Sequence, residues 1–315
     1  MKVLVTGANG FVGTAVCHRL MAAGHHVVGA VRRPVSLPTG VEPRLIGPLD
    51  GNHDWTEALA GMEAVVHLAA RVHVMRDSAA DPLAEFRRAN TAATVHLARD
   101  AARLGLRRMV FMSTIKVNGE GGAPPYTAAD PPAPRDPYGL SKAEAEAGLR
   151  EIAAQTDLAI TILRPPLVYG PGVGGNFRTL LNVVARALPL PLAAIDNRRS
   201  LIHVGNLADA VWIALDTDVT GAETFLVSDG EDISTPDLIR RLAALMNRPA
   251  RLIPIPPRLL RVAGGLSGRG AAIDRLTGSL QVDGSAFRTR FAWTPPVGLD
   301  QGLAETVTWF MGRRG

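Results

Sequence analysis

Cysteine is nearly missing from this 315-residue chain: Cys17 stands alone, which excludes an internal disulfide framework. It falls in an apolar helical stretch, where a lone cysteine behaves as a small hydrophobe. Aromatic residues make up only 5%, and no basic tract interleaves with them, so a nucleic-acid surface is not expected. No uninterrupted apolar run reaches the roughly 18 residues that suggest a transmembrane span. The first residues read as a strand, not as the basic and apolar regions of a secretory signal, so a cytoplasmic protein is expected. C-x-x-C and H-E-x-x-H spacings are both lacking. His25, His26, His53, His67, His73, His96 and His203 are scattered, so no metal site is expected. His67 and His203, set in apolar stretches, read as satisfied core-edge residues. Residues 254–266 are basic and apolar, but three prolines interrupt them; a packed lobe surface is expected there, with no membrane partner.

What is present describes a globular chain. Apolar residues make up 47% and charged residues 20%, and the 32 glycines and 23 prolines are spread rather than clustered. The length suits two domains or one large α/β unit. With 34 basic and 29 acidic residues the net charge is +5, which leans toward anionic substrates.

The chain begins MKVLVTGANGFVGTAVCHRL. Val3, Leu4 and Val5 form a short apolar strand; Gly7, Gly10 and Gly13 then carry the chain into a helix beginning near Phe11. One glycine permits the tight turn, one lets backbone approach a diphosphate, and one seats helix against strand. The first amides of the helix, around Asn9, Phe11 and Val12, face that charge. A strand before and an amphipathic helix after give the triplet the context that a dinucleotide site requires.

Strand patterns follow at 27–31, 64–68, 108–113 and 159–164, alternating with helical patterns at 14–23, 55–60, 91–104 and 141–154. That alternation predicts an α/β fold: a Rossmann-like parallel sheet with helices on both faces. Crossovers should be right-handed, and ligands should gather at the carboxyl ends of the strands near a change in strand order. After Arg164 prolines and glycines break the rhythm. Residues 1–170 are assigned to the dinucleotide domain, with segments near 200–230 returning to it, and 171–315 mainly to a smaller, interleaved substrate domain. Within that tail, helices are expected from Phe177, at 207–216, at 235–246 and near 299–310, and strands at 201–204 and 224–227.

Cofactor choice turns on the end of the second strand, where NAD sites commonly carry an acid for the ribose hydroxyls. Here Val31 holds that position and Arg32 and Arg33 follow. A guanidinium pairs with a 2′-phosphate, so NADP(H) is favoured, with NAD(H) as the alternative.

The chemical signal is YGLSK, in which Tyr138 and Lys142 lie four apart and share a helical face. An ammonium beside a phenol favours phenolate, so Tyr138 can exchange a proton with a sugar hydroxyl while Lys142 also holds the nicotinamide ribose. Thr114, at the end of the apolar strand 109–113, offers a hydroxyl for the substrate oxygen, and Ser113 competes for that role.

Together these segments, with VVHLAA at 65–70, Asn90 and RPPLVYGPG at 164–172, resemble an extended short-chain dehydrogenase/reductase of the nucleotide-sugar epimerase/dehydratase family over essentially the whole length. The resemblance implies a smaller C-terminal sugar-nucleotide domain, a UDP-sugar substrate and a homodimer formed through helices near 91–104 and 141–154. It implies that Asn90 supports the active-site backbone, that Leu68, Ala69 and Ala70 line the cofactor, and that Pro165 through Val168 run beside the nicotinamide. By the same resemblance Asn176 and Arg199 meet the substrate diphosphate, with Arg275 as a second arginine candidate. Related 4,6-dehydratases carry an acidic pair directly after the active-site threonine; Ile115 and Lys116 stand there, which disfavours that activity. IKVNGE, PPAPRDPYGLSK and SLQVD resemble bacterial proteins of surface-polysaccharide synthesis. The expected activity is NADPH-dependent reduction at C4 of a UDP-4-keto sugar, with an NAD-dependent UDP-hexose or UDP-N-acetylhexosamine 4-epimerase as the alternative. A non-catalytic sensor on the same fold is disfavoured because Thr114, Tyr138 and Lys142 are all intact.

Overall fold

The computed structural model describes residues 1–51, 53–72, 81–122, 124–266 and 270–313; His73 of the sequence reading lies outside them. Seven strands form one wholly parallel sheet. In chain order its first members are β1 (Lys2–Thr6), β2 (His26–Val31), β3 (Glu42–Leu45), β4 (Ala64–His67), β5 (Arg108–Met112) and β6 (Ala159–Arg164). The chain then leaves through Pro165 and Pro166 to β7 (Leu167–Tyr169) and β8 (Arg199–His203), returns for β9 (Ala222–Leu226), and leaves again for β10 (Asp232–Ile233). The large sheet runs β3-β2-β1-β4-β5-β6-β9, and the small one β10-β8-β7. The order reverses between β1 and β4, so their carboxyl ends frame the ligand crevice.

The first helices are α1 (Phe11–Ala22), α2 (Thr56–Leu59), α3 (Pro82–Phe86), α4 (Ala93–Arg103) and α5 (Pro137–Gln155). Then come α6 (Gly175–Ala185), α7 (Val204–Asp216), α8 (Thr235–Leu245), α9 (Pro257–Leu266), α10 (Gly270–Thr277), α11 (Ser285–Phe291) and α12 (Leu299–Gly312). Alternation along the strands divides the core between two faces. Val3, Val5, Val110 and Met112 point toward α1 and α7, whereas Leu4, Met109 and Phe111 point toward α4 and α5. Cys17 is fully buried on α1, and burial pushes its thiol up to about 12, so it stays an inert hydrophobe. A third core, around Tyr169, Phe177, Leu242 and Phe310, fills the smaller lobe.

Several elements differ from the sequence expectation. β3 escapes the alternation rule because it is a half-exposed edge strand that tolerates Pro43. The 201–204 pattern forms β8, which belongs to the small sheet, while α7 packs on α1 through the Arg19–Asp209 pair at 2.7 Å. α5 starts before 141: Asp136 caps it by accepting from the Gly139 amide at 2.7 Å, and Pro137 occupies its first turn.

Candidate active site

The glycine turn is built as its chemistry requires. Gly7 has φ +71, and a Cβ there would sit 3.0 Å from the Ala69 amide nitrogen. A Cβ on Gly13 would lie 2.0 Å from the Gly7 carbonyl oxygen, so only glycine lets α1 close on this turn. Gly10 precedes α1 with no side-chain cap, which leaves the amides near Phe11 and Val12 for an anion. Phe11 itself packs into the smaller lobe's core, against the Gly172 loop. Asn9, Val31, Arg32 and Arg33 line a groove of about 490 Å³ beside the turn, closed by Val35, Ile46, Gly47 and Pro48. No carboxylate occurs among its described lining residues. A glycine cradle, open helix amides and a cationic groove fit a dinucleotide.

A chain of hydrogen bonds ties this turn to α5. The Thr6 hydroxyl accepts from the Leu68 and Ala69 amides, both at 3.1 Å, and lies 2.7 Å from His67 Nδ1. His67 Nε2 lies 2.9 Å from Thr94 Oγ1, whose own proton goes to the Asn90 carbonyl at 2.6 Å. His67 therefore donates through Nε2 and accepts through Nδ1. Burial drives its pKa down to about 3, with the Lys142 charge acting the same way, so the ring stays neutral. Asn90, on a single π-helical turn (Arg87–Ala92), accepts from the Arg71 amide at 2.7 Å and donates to Ser141 Oγ at 3.1 Å. Ser141 in turn donates to the Tyr138 carbonyl at 2.8 Å. Asn90 thus braces the loop after Ala70 against the first turn of α5.

At the carboxyl end of β5 the two competing hydroxyls separate. Ser113 turns inward and donates to Glu146 at 2.6 Å. Thr114 is half-buried, caps the short turn Ile115–Val117 and accepts from the Lys116 amide at 3.3 Å. Tyr138 lies in the first turn of α5, its ring edge-on to Phe86 at 6.2 Å between centroids. Burial first, and then the charge of Asp136, raise its pKa. Lys116 pairs with Asp136, which holds the segment after Thr114 against the start of α5. Lys142 is fully buried, donates to the Met112 carbonyl at 2.8 Å and lies 4.4 Å from the centre of the Phe111 ring. Burial lowers its pKa to about 7 against the opposing pull of Glu146. The expected ammonium beside Tyr138 is therefore a group that titrates near neutrality.

Sequence reasoning missed the support beneath this set. Glu146, one turn beyond Lys142, receives Arg164 Nε at 2.8 Å and Nη2 at 2.5 Å, and Arg150 at 2.9 Å. Arg164 also donates to Asn118 at 2.9 Å. An arginine ending an otherwise apolar strand and a glutamate four residues after the lysine were the available signals.

The remaining sites are more scattered. Pro165 accepts from the Ile115 amide at 3.0 Å, which places it at the end of β5, and Val168 follows on β7, half-buried against the main core. Asn176 is exposed in the first turn of α6. Arg199 begins β8 half-buried, and its guanidinium donates to the Gly278 carbonyl at 2.9 Å. Arg275 is on α10, but its side chain lies outside the described ones.

The comparisons with known proteins agree with this architecture. The model of the NAD dependent epimerase/dehydratase family matches residues 3–228. The chain is 40% identical to a UDP-glucose 4-epimerase of Vibrio cholerae, over 98% of this chain and 95% of the relative. It is 31% identical to a 3-diazoavenalumate denitrifying reductase of a Streptomyces species, over 94% of this chain and 96% of the relative. Among solved structures, MoeE5 in complex with UDP-glucose and NAD superposes with a TM-score of 0.81 at 26% identity, covering 100% of both chains.

Proposed function

The chain belongs to the NAD dependent epimerase/dehydratase family, and within it we propose that this protein is a UDP-hexose 4-epimerase that keeps its NAD bound. The observation that carries the reading is the composition of the site. Thr114 follows the end of β5, Tyr138 opens α5 and Lys142 donates to the Met112 carbonyl at the end of β5, while Ile115 and Lys116 follow Thr114 and Asp136 is engaged in capping α5 and pairing with Lys116. Such a set moves a proton on and off one hydroxyl; it holds no acidic pair at 115 and 116 to eliminate water. The V. cholerae relative is named for this activity, and MoeE5 holds UDP-glucose and NAD on the same fold.

When bound, NAD supplies hydride exchange at the sugar C4. Tyr138, whose buried phenol must be held as phenolate against its raised pKa, takes the proton of the C4 hydroxyl and later returns it to the same oxygen after the sugar has rotated. Thr114 donates to the C4 oxygen and holds it in place. Lys142 favours the phenolate when protonated and anchors the nicotinamide ribose. Asn176 and Arg199, with Arg275, hold the diphosphate; arginine's planar donors match its oxygens. A homodimer through α4 and α5 completes the reading.

The cationic groove favours a second reading: Arg32 and Arg33 with no carboxylate beside them suit a 2′-phosphate, and hence an NADPH-dependent reductase of a UDP-4-keto sugar. Denaturing the purified protein and identifying the released dinucleotide separates the two. Near-stoichiometric NAD+, with interconversion of UDP-glucose and UDP-galactose without net redox, is expected. Protein that emerges empty, binds NADPH far more tightly than NADH and consumes it on a UDP-4-keto sugar overturns the epimerase.

A further inference from the structure

The net charge of this chain is concentrated in one segment. Residues 248–278 hold six arginines and a single acid, Asp274, an excess equal to the +5 of the whole protein. The segment contains α9 and α10, which pack on each other and on the smaller lobe through Leu260, Ile255 and Ile273. Its outer side does not follow the expectation of a packed lobe surface. Leu259 and Val262, three apart on α9 and hence on one face, are 60% and 62% exposed, and Ile253 is 46% exposed. Arg251 and Arg258 are exposed beside them.

We propose that this α9–α10 hairpin docks the protein on an anionic membrane surface, its apolar stripe entering the interface and Arg251 and Arg258 meeting the lipid phosphates. Exposed leucine and valine flanked by arginine on a short amphipathic helix are the features of an element lying in the headgroup layer. A nucleic acid would match the charge but not the stripe, and residues 248–278 contain no aromatic side chain on which a base could stack. Docking is peripheral, since no helix among the described residues is long and apolar enough to cross a membrane. The hairpin ends at Gly278, whose carbonyl receives both Arg199 and Asn197. Its seat on the membrane is therefore joined directly to the strand that carries Arg199.

The test is co-sedimentation of the full-length protein with vesicles of phosphatidylglycerol and phosphatidylcholine, against phosphatidylcholine alone. Binding is expected only to the anionic vesicles, and should be lost as salt rises from about 0.1 to about 0.5 M. The double variant Leu259→Asp/Val262→Asp should lower the bound fraction at least about fivefold without changing the melting temperature or the oligomeric state. Should that variant melt early, Arg251→Glu/Arg258→Glu provides the same comparison through charge alone. No binding of the wild type to anionic vesicles, undiminished binding of the variants, or dissociation of an oligomer by the Leu259→Asp/Val262→Asp change (which would make the stripe a self-interface) overturns the proposal.

Discussion

Ser113 and Thr114 are neighbours with opposite assignments: the Ser113 hydroxyl donates inward to Glu146 at 2.6 Å, while Thr114 stays half-buried just past the end of β5 and caps the next turn. Thr114→Val should therefore lower kcat by about 10²-fold, the scale of a lost proton-handling contact. Ser113→Ala should cost about 1–3 kcal/mol of stability, because Glu146 loses a buried donor, with little effect on kcat. Steady-state rates and denaturant midpoints of the two variants check this, and a reversed pattern would reassign the substrate hydroxyl to Ser113.

Tyr138→Phe keeps the ring against Phe86 and removes only the acid–base group. Turnover should fall about 10²- to 10⁴-fold while the dinucleotide content of the purified protein is unchanged. Turnover near that of the wild type would exclude Tyr138 as the proton carrier.

Glu146→Gln leaves Arg164 buried without its carboxylate. Breaking such a pair should cost about 3–5 kcal/mol, read as a lower unfolding midpoint. Glu146 also favours the charged form of Lys142. Its removal should move the Lys142 ionisation further below about 7, shifting the lysine-dependent limb of the pH–rate profile to lower pH. An unmoved profile would reduce Glu146 to a purely structural role.

His67 links acidity to stability. Its folded pKa is about 3 against an ordinary 6.5, so between those values the unfolded chain binds the extra proton. The stabilising share of the neutral ring is present above pH 6.5 and is lost as pH falls, at up to about 1.4 kcal/mol per pH unit. Denaturant titrations of wild type and His67→Gln at pH 7 and pH 4.5 should show a smaller gap in stability at the lower pH; a constant gap contradicts the assignment.

Gly13→Ala puts a methyl group 2.0 Å from the Gly7 carbonyl oxygen, a contact that only displacement of α1 relieves. Loss of bound dinucleotide is expected, with reduced thermal stability. Retention of stoichiometric dinucleotide would show that the turn can open.

The legible parts of this molecule are those with local signatures. The β1–glycine–α1 entry, the strands with apolar periodicity and the YGLSK helix each declare themselves within a short window. Glu146 and Arg164 do not: they are 18 residues apart, on a helix and a strand, and each alone looks like surface charge. Whether Ser113 or Thr114 faces the crevice depends on where the β5 pleat ends and on what α5 offers it, which periodicity does not encode. β3 was hidden by its proline and half-exposed pattern. Arg32 marks a groove in both sequence and structure, but a guanidinium there admits more than one dinucleotide.

The return of the chain from β8 to β9 has an evolutionary corollary. β9 pairs along β6, from Ile160 with Ala222 to Arg164 with Leu226, only after the chain has already built much of the other lobe. A gene fragment ending before that strand would encode a sheet with the β6 edge bare, inviting pairing with foreign chains. Recombination at a single boundary therefore cannot exchange the smaller lobe as one cassette, because its segments lie on both sides of β9 in the chain.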